Sequence, residues 1–362
     1  MRKIPADAPA RALPTWPEGT WPAVSFVMPV LDERPYLRDA VSSVLDQEYE
    51  GETELILSLG PSTDGTTELA QRIAGEDPRV RLVHNPRAHI PSGLNIAIAA
   101  ARNPVVIRVD AHSEIPEDYA RIGVETLRRT GAANCGGVMD ATGRTTYQQA
   151  VARAYNSPLG LGGGAYHGSG AEGPCESAYL GIFRREVLTE VGGYDDSVRR
   201  GEDWELNLRI REAGHLVWFT PKLRVTYWPR DTRGRLARQF WSTGVWRGAL
   251  VRNVAMRTPL RFFAAPALVA GLGVSAAVAA VEGVRRFRGP AKLLRLAHAT
   301  PLAYAAFLAL AVRRSEGTPR DRTRFAEVIA TMHVSWGAGF LVGLTRGGGD
   351  TVDRSRTFRS RD

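Results

Sequence analysis

Cysteine is nearly missing from this chain: Cys135 and Cys175 are the only two in 362 residues, with no C-x-x-C and no metal-finger spacing. That excludes a disulfide framework and a structural zinc site, and it fits a reducing compartment. No G-x-G-x-x-G follows the first apolar run, so a dinucleotide-binding fold loses its main support, and no G-x-x-x-x-G-K-[ST] occurs to suggest a phosphate-loop NTPase. The first 22 residues carry Pro5, Pro9, Pro14, Pro17 and Pro22 but no apolar stretch. They read as a disordered lead-in rather than a secretory signal, which keeps the main body in the cytosol. Acidic residues are absent from Thr232 to Val281, where Arg233, Arg235, Arg238, Arg247, Arg252, Arg257 and Arg261 all fall. Nucleic acid could meet such a basic stretch, but this one runs into long apolar segments. An anionic membrane surface or a phosphate-bearing lipid is therefore the expected partner, and no nucleic acid is expected.

What is present is an alternation. Val24-Ser25-Phe26-Val27-Met28-Pro29-Val30, Glu54 to Leu59, Val80 to Val83 and Val105 to Val109 read as buried strands. Between them lie helical patterns over about Tyr36 to Leu45, after Gly65, and from Ser92 to Ala101. Four strands at crossover spacing predict an α/β protein with a mostly parallel sheet and helices on both faces. Ligands bind such sheets beyond the carboxyl ends of the strands, and Glu33, Asp64 and Asp110 stand just past three of those ends. Three carboxylates on one rim repel one another unless a cation or polar ligand lies between them, although each alone could be a cap or turn residue, Asp64 especially. The run Gly160-Leu161-Gly162-Gly163-Gly164 follows no strand and reads as a loop near the site or a plain linker.

Four motifs occur in order: Met28-Pro29-Val30-Leu31-Asp32-Glu33, Ser62-Thr63-Asp64-Gly65-Thr66, Val109-Asp110-Ala111-His112 and Gly201-Glu202-Asp203-Trp204-Glu205-Leu206-Asn207. Each is weak alone, but the series resembles the family 2 glycosyltransferases, and looks most like the succinoglycan-biosynthesis type through residues 110–116 and Glu205-Leu206-Asn207. The resemblance covers about Val24 to Arg252. It implies a nucleotide-diphospho-sugar transferase fold and an inverting transfer assisted by a divalent metal, Mg²⁺ or Mn²⁺. Carried over, Pro29, Glu33 and Asp64 match positions lining the donor-nucleotide pocket, and Val30, Asn95 and Asp110 join that expected set. Asp110 and His112 match the metal motif, Asp203 the base, and Glu202 its acceptor-side neighbour. Gly192-Gly193-Tyr194-Asp195 resembles the family's acceptor-side loop. Where the family usually has an Asp contacting the nucleobase, this chain has Leu59, which leaves Ser58 or backbone groups to take over.

The chemistry supports these roles. A nucleoside diphosphate leaves readily once its charge is neutralised, which a divalent cation does without proton transfer. Asp110 is a hard oxygen ligand, while His112 suits Mn²⁺ or an outer contact; the bland reading of His112 is a hydrogen bond to the loop. An acceptor hydroxyl must lose its proton as it attacks, and a positioned carboxylate contributes roughly 10²–10⁴-fold. Asp203 opens a helix, where one acid would favour the helix dipole, but Glu202, Asp203 and Glu205 together ask for more than that. Trp204, Arg238 and Trp241 complete the expected acceptor side. Tryptophans there suit sugar stacking, or core and membrane-interface packing. The Gln-x-x-Arg-Trp element of processive synthases is missing, with Gln239-Phe240-Trp241-Ser242 near its place, so addition of a single sugar is expected. A sugar nucleotidyltransferase would carry a glycine-rich loop where Leu31-Asp32-Glu33-Arg34 stands, and a non-catalytic membrane scaffold would explain Leu59.

Phe262 to Val281 is an uncharged run of spanning length; Leu296 to Val312 is shorter and holds His298, and Phe325 to Leu344 contains Glu327 and His333. If all three crossed, the basic loop from Arg285 to Arg295 would lie outside, against the positive-inside rule. Some segments would then lie in the interface or pack as a hairpin, and the span count stays open. The expected organisation is a lead-in (1–22), a catalytic domain (23–232), a basic amphipathic juxtamembrane segment (233–261), a hydrophobic helical region (262–345) and a polar tail (346–362). The expected acceptor is a lipid-linked polyprenyl-diphosphate saccharide at the cytoplasmic face of the cell membrane, and the donor a nucleotide-sugar.

Overall fold

The computed structural model describes residues 11, 13–161, 171–198, 201–253, 260–284, 287 and 289–348. Half of the expected lead-in (1–10 and 12), the polar tail from 349 on, Gly162 to Gly164 and the basic residues Arg285, Arg286 and Arg288 lie outside them. Two compact units divide the chain, one comprising the residues up to Thr142 with 164–228, the other 143–163 with 229–355.

In the first unit the apolar runs become strands because alternate residues can be buried on opposite faces. The chain runs β1 (Val24–Val30), α1 (Leu37–Leu45), β2 (Thr53–Leu59), α2 (Thr66–Glu76), β3 (Val80–His84), α3 (Ile90–Ala100) and β4 (Val105–Arg108). β1 pairs in parallel with β2 and β4, and β2 with β3. Phe26, Met28 and Val30 of β1 pack against Leu37 and Val41 of α1 and Leu69 and Ile73 of α2. Val27, Ile56 and Val106 point the other way, against Leu94 and Ala97 of α3. Both faces are covered, as the alternation predicts.

Beyond β4 come β5 (Ser113–Glu114), α4 (Tyr119–Thr130), β6 (Asn134–Ala141) and, after the excursion into the second unit, β7 (Gly173–Pro174), β8 (Tyr179–Arg184), α7 (Arg185–Glu190), α8 (Glu202–Glu212) and β9 (Val217–Tyr227). Among the described residues the sheet has nine strands, in the order β3-β2-β1-β4-β8-β6-β9-β5, with β7 on β9. β8 runs antiparallel to both β4 and β6, and β5 and β7 antiparallel to β9. The sheet is therefore parallel through its first four strands and mixed as a whole.

The second unit is helical. It holds α5 (Thr146–Tyr155), the short α6 (Pro158–Leu161), α9 (Arg233–Asn253), α10 (Ala264–Val284), α11 (Ala299–Arg314) and α12 (Pro319–Arg346). Gly160 and Leu161, expected in a loop, thus close a helical turn. The Thr145 side chain accepts from Gln148 N while Gln148 answers to the Thr145 backbone, a capping box that starts α5. α9 packs on α12: Gly244 and Gly248 lie against the α12 backbone at Trp336 and Phe340, and Gly339 and Gly343 of α12 against the α9 backbone at Trp241 and Val245. A Cβ on Gly244 would come within 2.1 Å of Trp336 O, and one on Gly343 within 2.0 Å of Val245 O. Small residues at this spacing let two helix backbones touch.

Among the described residues three helical segments, Leu260–Val284, Pro290–Arg314 and Pro319–Arg346, are long and apolar enough to cross a membrane. Leu260, Val274, Val284, Leu293, Leu296 and Leu302 are exposed. An apolar surface of this kind, uncovered by protein, is consistent with membrane association. The glycine contact is testable by one substitution at two places. Gly248→Ala, whose Cβ would sit 2.1 Å from Phe340 O, should destabilise the detergent-solubilised protein by about 1–3 kcal/mol. Gly273→Ala, with open space around it, should leave the thermal midpoint equal or raised. Equal responses would refute the tight contact.

Candidate active site

The loops after β1 and β2 are clasped together at the carboxyl edge of the sheet. Asp32 N donates to Ser62 Oγ (3.0 Å), Thr63 N donates to Asp32 Oδ1 (2.8 Å), and Glu33 N donates to Thr66 Oγ1 (2.9 Å). Asp32 adopts φ 53°, a left-handed conformation unusual outside glycine, and the clasp holds it there. Asp64 serves the same clasp. Its Oδ1 accepts from Thr66 N (3.0 Å) and Thr66 Oγ1 (2.5 Å), and its Oδ2 from Arg34 N (3.2 Å). The turn-residue alternative for Asp64 is thus the one the geometry displays.

Two more members of the expected donor set are engaged elsewhere. The Val30 side chain is in the hydrophobic core, so only its backbone can meet a ligand. The Asn95 amide is occupied at both ends, its Oδ1 accepting from Tyr194 N (2.8 Å) and its Nδ2 donating to Tyr194 O (2.7 Å) and Asp196 Oδ1 (3.1 Å). It holds the loop before α8 rather than pointing to a nucleotide. Pro29 is half-buried, opposite Ser58 in the β1–β2 register. Leu59 is buried and Ser58 fully so, which removes Ser58 as a substitute contact to a nucleobase.

His112 finds its partner across the rim, with Nδ1 2.8 Å from Glu33 Oε1. A ring donating from Nδ1 to a carboxylate keeps its lone pair on Nε2, the arrangement of a histidine prepared to bind a cation. The loop hydrogen bond expected of His112 therefore exists, but to a carboxylate instead of a carbonyl.

The residue that organises the site is one the sequence motifs passed over. Arg108, the last residue of β4, has only 4% of its side chain exposed and reaches three carboxylates through three different nitrogens: Nε to Asp110 Oδ1 (3.1 Å), Nη1 to Asp203 Oδ1 (2.5 Å) and Nη2 to Glu202 Oε1 (3.2 Å). Burial alone would lower its pKa, but Asp110, Asp203, Tyr194 and Glu202 outweigh that and hold it well above the usual arginine value. Its signal in the sequence is a single arginine inside an otherwise apolar strand.

Asp203 stands in the first turn of α8, 24% exposed, where Arg108 Nη1 and Tyr194 OH (3.3 Å) both reach Oδ1. Burial, against which Arg108 pulls, together with the negative charges of Glu202 and Asp110, pushes its carboxyl up to about 7. The buried Tyr194 phenol is raised well above the tyrosine range, so it stays protonated and donates. Glu205, the third acid of the motif, belongs to a different contact: it pairs with Arg209 (2.6 Å), whose Nη2 also donates to Gly193 O (2.8 Å). Trp204 is half-buried on α8. Arg238 and Trp241 lie on α9 of the second unit, both exposed.

A buried guanidinium at the strand end thus joins the loop carboxylate Asp110 to Asp203 on a helix, and the excess of negative charge around it suits holding a cation on the loop side and accepting a proton on the helix side. Comparison with known proteins points the same way. Residues 25–192 match the family model described as glycosyl transferase family 2. The succinoglycan biosynthesis protein ExoA of Rhizobium meliloti (strain 1021) is 33% identical over 321 residues, 87% of this chain and 93% of that protein. A dolichyl N-acetyl-alpha-D-glucosaminyl phosphate 3-beta-D-2,3-diacetamido-2,3-dideoxy-beta-D-glucuronosyltransferase of Methanococcus voltae is 21% identical over 240 residues, 64% of this chain and 74% of that one. In fold, the mannosyltransferase of Pyrobaculum calidifontis, solved with GDP-Man and Mn²⁺, superposes with a TM-score of 0.61 at 21% identity, covering 94% of this chain and 91% of that one. The extent of the identity to the succinoglycan protein decides the matter: the chain belongs to glycosyl transferase family 2 and is a glycosyltransferase of its succinoglycan-biosynthesis-like subgroup.

Proposed function

We propose that the enzyme transfers one sugar, with inversion, from a nucleotide-sugar donor to a lipid-linked polyprenyl-diphosphate saccharide at the cytoplasmic face of the cell membrane, in exopolysaccharide or cell-wall assembly. The observation that carries this reading is the shared guanidinium: Arg108 holds Asp110, of the metal motif, and Asp203, in the place of the base, in one cluster. Asp203 takes the proton of the acceptor hydroxyl while that oxygen bonds to the anomeric carbon. The bond from that carbon to the diphosphate breaks, and its electron pair leaves with the nucleoside diphosphate. The mannosyltransferase solved with GDP-Man and Mn²⁺ supports a divalent cation. The lipid acceptor is supported by the apolar helices and by the basic α9.

The residues present fit such a cation. Among the described residues there is no group of three or more His, Cys, Asp and Glu side chains that could cage one. Asp110 and His112 Nε2 would supply two ligands and the donor diphosphate the others, as is common where cations bind through substrate phosphates. Held there, the cation would neutralise charge on the departing diphosphate. Glu33 fixes the His112 ring, and Asp110 is steadied by Arg108.

Three outcomes follow. Asp203→Asn should keep nucleotide affinity and cut turnover by about 10²–10⁴-fold in a membrane assay with product linkage analysis; near-normal turnover would remove the base assignment. Turnover should rise with pH along an acid limb near 7, because Asp203 acts deprotonated and its carboxyl is pushed up to about 7. Glu202→Gln removes one of the charges that push it up, so the limb should move to lower pH; a limb that stays or rises contradicts the electrostatics. Finally, Asp110→Ala and His112→Ala should each abolish most of the Mn²⁺-dependence of UDP or GDP binding in calorimetry, by about 10–100-fold in affinity. Affinities that ignore Mn²⁺ in the unsubstituted protein would refute the metal role.

A further inference from the structure

A buried cation in a strand is an expensive choice for stability. Val105, Val106 and Ile107 fill the same strand with apolar side chains, and a buried ion pair replaced by packed apolar groups is often no less stable. Arg108 is therefore better explained by what its three nitrogens do than by what it contributes to folding. The planar fork sends Nη1 to Asp203 Oδ1, Nη2 to Glu202 and Nε to Asp110. A lysine ammonium at this position would keep the charge but could not reach three carboxylates in three directions.

Asp203 Oδ1 receives a second donor, the Tyr194 hydroxyl. Tyr194 is itself fixed. Asn95 brackets its backbone on both sides, and Gly193, at φ 69°, lies where a Cβ would meet Asn95 Oδ1 at 2.6 Å. The Tyr194 ring also lies 5.9 Å from the Arg108 guanidinium. Below, Asn207 Nδ2 donates to the Asp203 carbonyl (2.8 Å), and Asn207 Oδ1 accepts from Asn134 on β6 (2.6 Å), so the first turn of α8 cannot slide along the sheet. The contacts that reach Asp203 itself act on Oδ1 or on its backbone carbonyl. Its Oδ2 has no hydrogen bond among the described residues, and the side chain keeps a partly open face.

We propose that Arg108 and Tyr194 are positioning residues: they pin Oδ1 of Asp203 so that Oδ2 alone is presented to the acceptor hydroxyl, and Arg108 ties that oxygen pair to the donor-side Asp110. The inference rests on Asp203 being the base. Neither Arg108 nor Tyr194 touches the reacting atoms; Tyr194 acts through Asp203, and Arg108 through Asp203 and Asp110.

The test is a pair of double-substitution cycles in the full chain, in membranes, using the nucleotide-sugar that labels the lipid extract. Arg108→Lys should lower kcat by about 100-fold, the cost of misplacing a reacting group, with acceptor KM changed by less than about threefold. Tyr194→Phe removes a single hydroxyl without opening a cavity, and should lower kcat about three- to tenfold. Binding of UDP and GDP with Mn²⁺, read by calorimetry, should change by less than about threefold in Tyr194→Phe. In an Asp203→Asn background, whose residual rate is followed over hours with enzyme in excess, Tyr194→Phe should not slow transfer further, and Arg108→Lys should slow it by far less than about 100-fold, since only its hold on Asp110 is then left to lose. A full additional loss in that background overturns the positioning role, as does a rise in acceptor KM that accounts for the loss of rate. If Arg108→Lys does not fold, the Tyr194→Phe cycle decides by itself. Asp203→Asn retaining turnover is a different result: it removes the base reading, whereas an inactive Asp203→Asn with independent Tyr194 and Arg108 effects removes only the inference.

Discussion

One guanidinium holds three carboxylates, and the first unit is arranged so that this can happen. Arg108 is delivered by β4, Asp110 by the loop after it, and Glu202 and Asp203 by the first turn of α8. Remove the arginine and three acids would face each other in a half-closed site; remove the acids and a buried cation would be left alone. Either loss leaves uncompensated charge in a region that water reaches poorly, so the contacts stand or fall together. The packing around them serves that meeting. Leu206 and Ile210 seat α8 in the second core, Asn207 ties it to Asn134, and Arg209 ties it to the Gly193 carbonyl.

The balance of charge is deliberately uneven. One positive group against three negative ones leaves the cluster with an excess of negative charge, and burial, reinforced by that excess, lifts Asp203 toward neutral pH. A perfectly neutralised pair would give a stable but inert carboxylate. Here burial and the like charges outweigh the contact to Arg108, which suits a group that must take up a proton and give it back within each turnover.

How much of this could be read before folding depended on the range of each interaction. β1 to β4 and the helices between them follow from local periodicity, and the rim carboxylates from their place after strands. The motif acids could be placed but not sorted. Glu205 is paired locally with Arg209, Asp64 with its own turn, and Glu202 and Asp203 with Arg108 some 94 and 95 positions away. Asn95 meets its partner 99 positions on, at Tyr194, so helical spacing could not distinguish a loop clamp from a nucleotide contact. Of the later strands, β5 and β7 have two residues each, β6 and β8 are interrupted by glycine, as at Gly136 and Gly137 in β6, and their mixed pairing is set by the sheet they join. On α9 the arginines drew attention, while the spacing of Gly244 and Gly248 carried the actual packing information.

The excursion of residues 143–163 has a bearing on how the two units are inherited and handled. The chain leaves the sheet after β6, contributes α5 and α6 to the helical unit, returns for β7 to α8, and leaves again after β9. The units are therefore stitched by several passages of backbone instead of one hinge. Shortening the gene after Trp228 would strand α5 and α6 without α9 and α12, so the apolar helices complete a unit that the chain begins before β7.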